Sequence, residues 1–197
     1  KKHRHLPDML GIEEMERFLE APDTNVPLGK RDKAIFELMY GSGLRVSEIC
    51  TLPMTAVDCE EGFARVFGKG SKERVVLIGE PATMAITNYI NRGRPKLAGK
   101  RSGDALFLNR YGSRLTERTV QMILEKYAAL AGLDKKVYPH LLRHTFATHM
   151  LDGGADLRVV QELLGHASLA STQIYTHVTK SQARKVYLAA HPMAGKD

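Results

Sequence analysis

Three histidines and one arginine fall within twelve positions, PHLLRHTFATHM, residues 139 to 150, whose other side chains are small or apolar. At helical spacing His140, Arg143, His144 and Ala147 share one face, and His149 points roughly the opposite way. Three kinds of chemistry suit such a run: a bound metal, a core satisfied by imidazoles, or a held phosphate. His140 and His144 have the i, i+4 spacing of a helical zinc pair. No glutamate stands between them in the H-E-x-x-H manner, however, and the permanently cationic Arg143 on the same face would repel a dication. Imidazole and guanidinium offered together match an anionic phosphate oxygen. A second stretch, LLGHASLASTQIYTH, sets His166 just past a helix-ending glycine and Tyr175 on a short helix. Singly each reads as a cap or a core residue; jointly they extend the phosphate reading.

The rest of the chain must position these groups. It has 197 residues, 43% of them hydrophobic, enough for one large domain with a sizeable core. No apolar run approaches membrane-spanning length, and the basic opening KKHRHLPDML lacks the apolar core and cleavage site of a signal peptide. Cys50 and Cys59 have no paired-ligand spacing, which argues against a disulfide framework or a zinc ribbon and fits a reducing cytoplasm. Lysine and arginine number 29 against 22 aspartate and glutamate, an excess that favours a polyanionic partner.

Hydrophobic periodicity predicts a helix over GIEEMERFLE, with Ile12, Met15, Phe18 and Leu19 on its apolar side. After the loop APDTNVPLGK, a second helix spans KRDKAIFELMYGSG, with Ala34, Ile35, Leu38 and Met39 buried and Gly41 and Gly43 ending it. LRVSEICTL is a short helix entered from the glycine turn. The period then changes to two: GFARVFG and ERVVLIG form a hairpin around KGSK, and ALFL at 105 to 108 is a candidate third strand. Pro81 opens a helix to about Asn91, and RGRPKLAGKRSGD reads as a basic flexible loop. From Thr116 onward the chain reads as helical, with Thr116, Asp156 and Ser171 as N-caps and Gly132, Gly153 and Gly165 as stops. The expected class is mainly α with a small antiparallel β-sheet (α+β).

PHLLRHTFATHML with LLGHASLASTQIYTHV, preceded by GSGLRVSEICTL and FGKGSKERVV, resembles the catalytic domain of the tyrosine recombinases, or phage integrases, and most closely the Xer recombinases. The ending HPMAG points the same way. The resemblance runs from about residue 6 to 193. It implies that 1–197 is one C-terminal catalytic domain, with 180–197 as a tail, and that the N-terminal core-binding domain of the family is absent from this chain. It also implies six catalytic positions: Arg45 in GLRVSE, Lys69 in GKGSKER, His140 and Arg143 in HLLRH, His166 in LGH, and Tyr175 in IYTH. Tyr175 would attack phosphorus, forming a 3′-phosphotyrosyl link and freeing a 5′-hydroxyl. Lys69 would protonate the leaving oxygen, with Lys72 a rival from the same turn. Arg45 and Arg143 would clamp the non-bridging oxygens, His166 would add a donor, and His140 is suited to take the phenolic proton. His144 is expected to brace this set, and His149 to be packing or surface. No metal and no other cofactor is implied.

Lys72, Arg74, Arg110, Arg114 and Arg118 are the candidate DNA-contacting residues, the last three approaching a helix N-terminus. Glu48, one turn after Arg45, is either a brace for that guanidinium or an ordinary surface pair. The partner implied is double-stranded DNA, with no membrane, in a homo-tetramer or a hetero-tetramer with a second recombinase. Val186, Tyr187 and Ala190 in the tail would dock on a neighbouring subunit, or else pack back on their own core. The activity implied is site-specific recombination of the kind that resolves chromosome dimers. A phage or mobile-element integrase, a type IB topoisomerase-like relaxation activity, a DNA-binding module without catalysis and a metal-dependent hydrolase are the alternatives.

Overall fold

A 16-residue helix, α2 (Pro27–Ser42), organises the fold of the computed structural model, which describes residues 9–68, 73–165 and 177–194. It starts three residues before the predicted KRDKAIFELMYGSG, because Pro27 at its first position has a backbone already set for helix and needs no N–H partner there. Ala34, Ile35, Leu38 and Met39 are fully buried as expected, and so are Phe36 and Tyr40 from the other faces. Helices α1 (Ile12–Glu20), α4 (Glu80–Asn88) and α7 (Pro139–Asp152) all pack against it, so no face of α2 is left for water. Met15, Phe18 and Leu19 of α1 point inward, with Phe18 stacked on Phe36 at 4.5 Å, whereas Ile12 in the first turn is 47% exposed.

Gly41 lies inside α2, and Gly43 ends it. Gly43 has φ +61°, and a Cβ there would come within 2.6 Å of Phe146, so both conformation and space demand glycine. The chain then enters α3 (Val46–Thr51) with Arg45 as N-cap. Glu48, at the third position, reaches back to accept from the Arg45 N–H at 2.8 Å, half of a capping box.

The sheet is antiparallel, in the order β1 (Val57–Asp58), β2 (Phe63–Phe67), β3 (Glu73–Leu77). The hairpin strands fall where the alternation predicts them. The third strand does not: Val57–Asp58 supplies it, and residues 105–108 make only isolated bridges, Pro53 to Ala105 and Leu108 to Arg114. ALFL is apolar because it is core filling, all four residues being at most 1% exposed, and an apolar run of that length cannot be told from a strand by pattern. The supposed flexible loop is also partly ordered. The α4 helix runs on through a π-helical turn, Tyr89–Gly93, into α5 (Arg94–Leu97). Arg94 donates there to the carbonyls of Ala105 and Leu106, replacing hydrogen bonds that a strand would have supplied.

Helix α6 (Glu117–Leu130) is capped by Thr116, which accepts from the Thr119 N–H at 3.2 Å, and α8 (Leu157–Leu163) by Asp156, which accepts from the Arg158 N–H at 2.8 Å. The stretch STQIYTHV falls mostly outside the described residues, as does the Ser171 cap. Helix α9 (His177–Ala190) packs on its own chain: Tyr187, Ala190 and His191 are buried, with Tyr187 and His191 stacked at 4.8 Å. Of the two fates for the tail, packing on its own core is the one seen for these residues.

Candidate active site

The turn that ends α2 brings three arginines together. Arg45 sits at the mouth of α3 with its side chain 41% exposed. Arg143 rises from α7 behind it and is 9% exposed, with one terminal nitrogen donating to the Gly43 carbonyl at 2.6 Å and the other to the Leu164 carbonyl at 2.7 Å. These two carbonyls belong to the end of α2 and the end of α8, so Arg143 ties together the two turns that flank the site. Burial pushes its guanidinium down to about 10, the charges of Arg45 and Arg74 push the same way, and Glu48 opposes them. At neutral pH it stays charged.

Arg74 on β3 completes the group. It donates with one terminal nitrogen to Glu48 Oε1 and with the other to Glu48 Oε2 at 3.0 Å, a bidentate pair with a carboxylate 3% exposed. Burial alone pushes the Glu48 carboxyl up. The bonds from Arg74 and from the Arg45 N–H, with the two guanidinium charges, outweigh that and hold it below the usual carboxylate range. Glu48 is therefore no surface pair: among the described residues it is the single buried anion beside the three cations.

His140, in the first turn of α7, is exposed, one turn before the buried Arg143. His144 is exposed as well and does not brace Arg143, whose partners are the two carbonyls. His149 is core, 3% exposed, with Nδ1 2.8 Å from the Tyr40 hydroxyl. Lys69, Lys72, His166 and Tyr175 lie outside the described residues.

The surface arginines divide differently. Arg110 is exposed and lies over the Tyr111 ring at 4.6 Å, and Arg118 is exposed in the first turn of α6. Arg114 is committed, bonding to Asp104 at 2.9 Å and to the Cys50 carbonyl at 3.3 Å. Arg74, expected among these DNA contacts, has a side chain only 17% exposed and turned inward. The signal for this was present: Arg74 precedes Val76 by two in an alternating strand, and Val76 is core. Among the described residues no group of three histidine, cysteine, aspartate or glutamate side chains could hold a metal, and no helix is long and apolar enough to cross a membrane.

The phage integrase family model matches residues 9–182, and the chain belongs to that family. It is 46% identical over 194 residues to tyrosine recombinase XerD of Staphylococcus epidermidis, spanning 98% of this chain and 66% of that relative. The crystal structure of XerA recombinase superposes with a TM-score of 0.75 at 34% identity, covering 96% of this chain and 67% of that one. A post-cleavage complex of XerH site-specific recombinase bound to a palindromic difH substrate superposes with a TM-score of 0.70 at 32% identity, covering 93% of this chain and 53% of that one. The chain thus spans just under two thirds of the length of its XerD relative. Family membership and the mainly α fold with its three-stranded antiparallel sheet agree with one another.

Proposed function

We propose that this chain is the catalytic part of a site-specific DNA recombinase of the Xer kind, cutting and rejoining double-stranded DNA in the cytoplasm without metal or ATP. The observation that carries the reading is the convergence of Arg45 and Arg143 on one face, with Arg143 pre-set by two backbone carbonyls and, among the described residues, only one carboxylate beside three guanidiniums. Such a site has cationic charge to spare, and donors fixed before the substrate arrives need no reorganisation as charge builds in the transition state.

In this mechanism the Tyr175 oxygen forms a bond to phosphorus as the bond from phosphorus to the 5′-oxygen breaks. The phenolic proton, held near pKa ~10 in the free side chain, passes to a base, for which exposed His140 is placed on the Arg143 side of α7. The leaving oxygen takes a proton from Lys69. Arg45, Arg143 and His166 hold the non-bridging oxygens. An aryl phosphodiester replaces an alkyl one, so attack by a 5′-hydroxyl on the phosphotyrosine reverses the step with no energy input. Arg110 and Arg118, with Lys72, would contact the DNA backbone. We further propose a tetramer, of one chain type or with a second recombinase, docked through residues 180–197. Leu188, 53% exposed on the outer side of α9, is available for that contact.

The test is a nicked duplex carrying the recombination site, incubated with the protein in EDTA. A covalent protein–DNA adduct is expected, and Tyr175→Phe should abolish it. Cleavage that needs a divalent ion, or an adduct that survives in Tyr175→Phe, would overturn the reading. Lys69→Ala should be impaired on the ordinary duplex and restored on a 5′-phosphorothiolate, whose sulfur leaves unprotonated; equal impairment on both would remove Lys69 from the acid role.

A further inference from the structure

Strand β3 follows the two-residue alternation of the sheet, with one exception in chemistry. Val66 pairs with Arg74 and Ala64 with Val76, and Ala64, Val66 and Val76 are all buried. Arg74 therefore occupies an inward-facing position where the pattern calls for an apolar residue. Placing a guanidinium there is costly unless its partners are fixed. Its two terminal nitrogens take both oxygens of Glu48, while Nε is buried with no hydrogen-bond partner among the described residues. The chain closes around it: Gly165 has φ +68°, and a Cβ at that position would lie 2.5 Å from Arg74 Nε. That glycine immediately follows Leu164, whose carbonyl holds Arg143.

The distribution of bonds at Glu48 is uneven. Arg74 holds the carboxylate through two bonds, and the Arg45 guanidinium touches it once, at 3.4 Å. The firm link from Arg45 to Glu48 is its backbone N–H, at 2.8 Å. We infer that Arg74 is a positioning residue for the phosphate clamp: by occupying Glu48 it leaves the Arg45 guanidinium free to face the scissile phosphate, and by filling the space beside Gly165 it seats the turn that holds Arg143. This inference rests on the recombinase reading above. Without Arg74, Glu48 is the nearest anion for Arg45, so the carboxylate competes with the phosphate for the same guanidinium and cancels its charge.

Single-turnover adduct formation on the nicked duplex tests this with wild type, Arg74→Ala, Arg74→Gln and the double variant Arg74→Ala with Glu48→Gln. Arg74→Ala is expected to slow cleavage on the order of 10- to 100-fold, the range for a weakened preorganised donor, while duplex affinity changes much less. Neutralising the competing carboxylate should restore part of the loss, so that the double variant cleaves faster than Arg74→Ala alone. Arg74→Gln, which keeps donors beside Glu48 and disturbs packing less, should lie between wild type and Arg74→Ala; it carries the comparison if the alanine variant does not fold. A double variant as slow as Arg74→Ala, or slower, would overturn the inference, because the two side chains would then act independently or Arg74 would touch DNA itself. Arg74→Ala at the wild-type rate would overturn it too. Wild-type protein that forms no adduct would instead remove the recombinase reading, and this inference with it.

Discussion

Arg143 and His149 stand on the same helix, fewer than two turns apart, both buried, and they end in opposite electrical states. Burial opposes charge on both. The Arg143 guanidinium is lowered only to about 10 and keeps its proton, with two carbonyl oxygens to accept its hydrogens. His149 is pushed below its ordinary value by burial and faces the Tyr40 hydroxyl and ring, in a cluster closed by Tyr187 and His191. A neutral imidazole suits that company: burial outweighs the backbone of Leu10 and the charge of Asp152, which both favour a second proton. One end of α7 holds a cation that its surroundings do not neutralise, and the other is a finished piece of core. The difference lies first in the groups, since a guanidinium ordinarily titrates at 12.5 and an imidazole at 6.5, and then in the partners each one meets. A surplus of fixed cations with half-exposed Arg45 at the rim gives this end of the helix a field that attracts anions.

The largest test of that contrast exchanges function for stability. Arg143→Ala should lower adduct formation at least on the order of 10²- to 10³-fold, because a preorganised donor to the transition state is lost. His149→Phe should leave the adduct rate within about twofold yet cost about 1–3 kcal/mol in urea unfolding, since the Tyr40 hydroxyl loses its partner in the core. An inactive His149→Phe of normal stability would break the comparison.

A smaller effect concerns pH at the core end. Burial pushes His191 down to about 4, and His149 is lowered too, so both are neutral in the folded protein at pH 7. In the unfolded chain each takes up a proton near pH 6.5, so the unfolded state binds more protons below that value. Stability from these groups is fully present above about pH 6.5 and is lost as pH falls toward 4, on the order of 3 kcal/mol for His191. Urea midpoints measured from pH 7.5 down to 5 should fall, and His191→Phe should flatten the slope. A slope unchanged in that variant would place the acid sensitivity elsewhere. The smallest effect is expected at the surface: Arg110→Ala should lower the salt dependence of duplex binding by about one phosphate contact without changing the single-turnover rate at saturation.

The elements most legible in the sequence were those with a strong period or a strong punctuation mark. The α1, α2 and α6 patterns, the hairpin strands and the caps at Thr116 and Asp156 were readable because each depends on neighbours within a few positions. The errors have the opposite character. ALFL at 105–108 fills the core beside Arg94 and Tyr89, partners distant in sequence, and its apolar run carries no mark to separate that from a strand. His144 shares a face with Arg143, but a helical wheel cannot say that the carbonyls of Gly43 and Leu164 arrive first. Arg74 has the charge of a surface cation, but the alternation of its strand turns it inward with Val76.

The candidate reactive groups, their order along the chain and the mainly α class with a hairpin are readable in the sequence alone, because side-chain chemistry and local periodicity are carried by the residues themselves. Tertiary structure decided which charges survive burial. Only there does Glu48 gather Arg74 to itself, do two carbonyls close on Arg143, and does His149 meet Tyr40, since the protonation and direction of a buried group depend on neighbours that arrive from elsewhere in the chain.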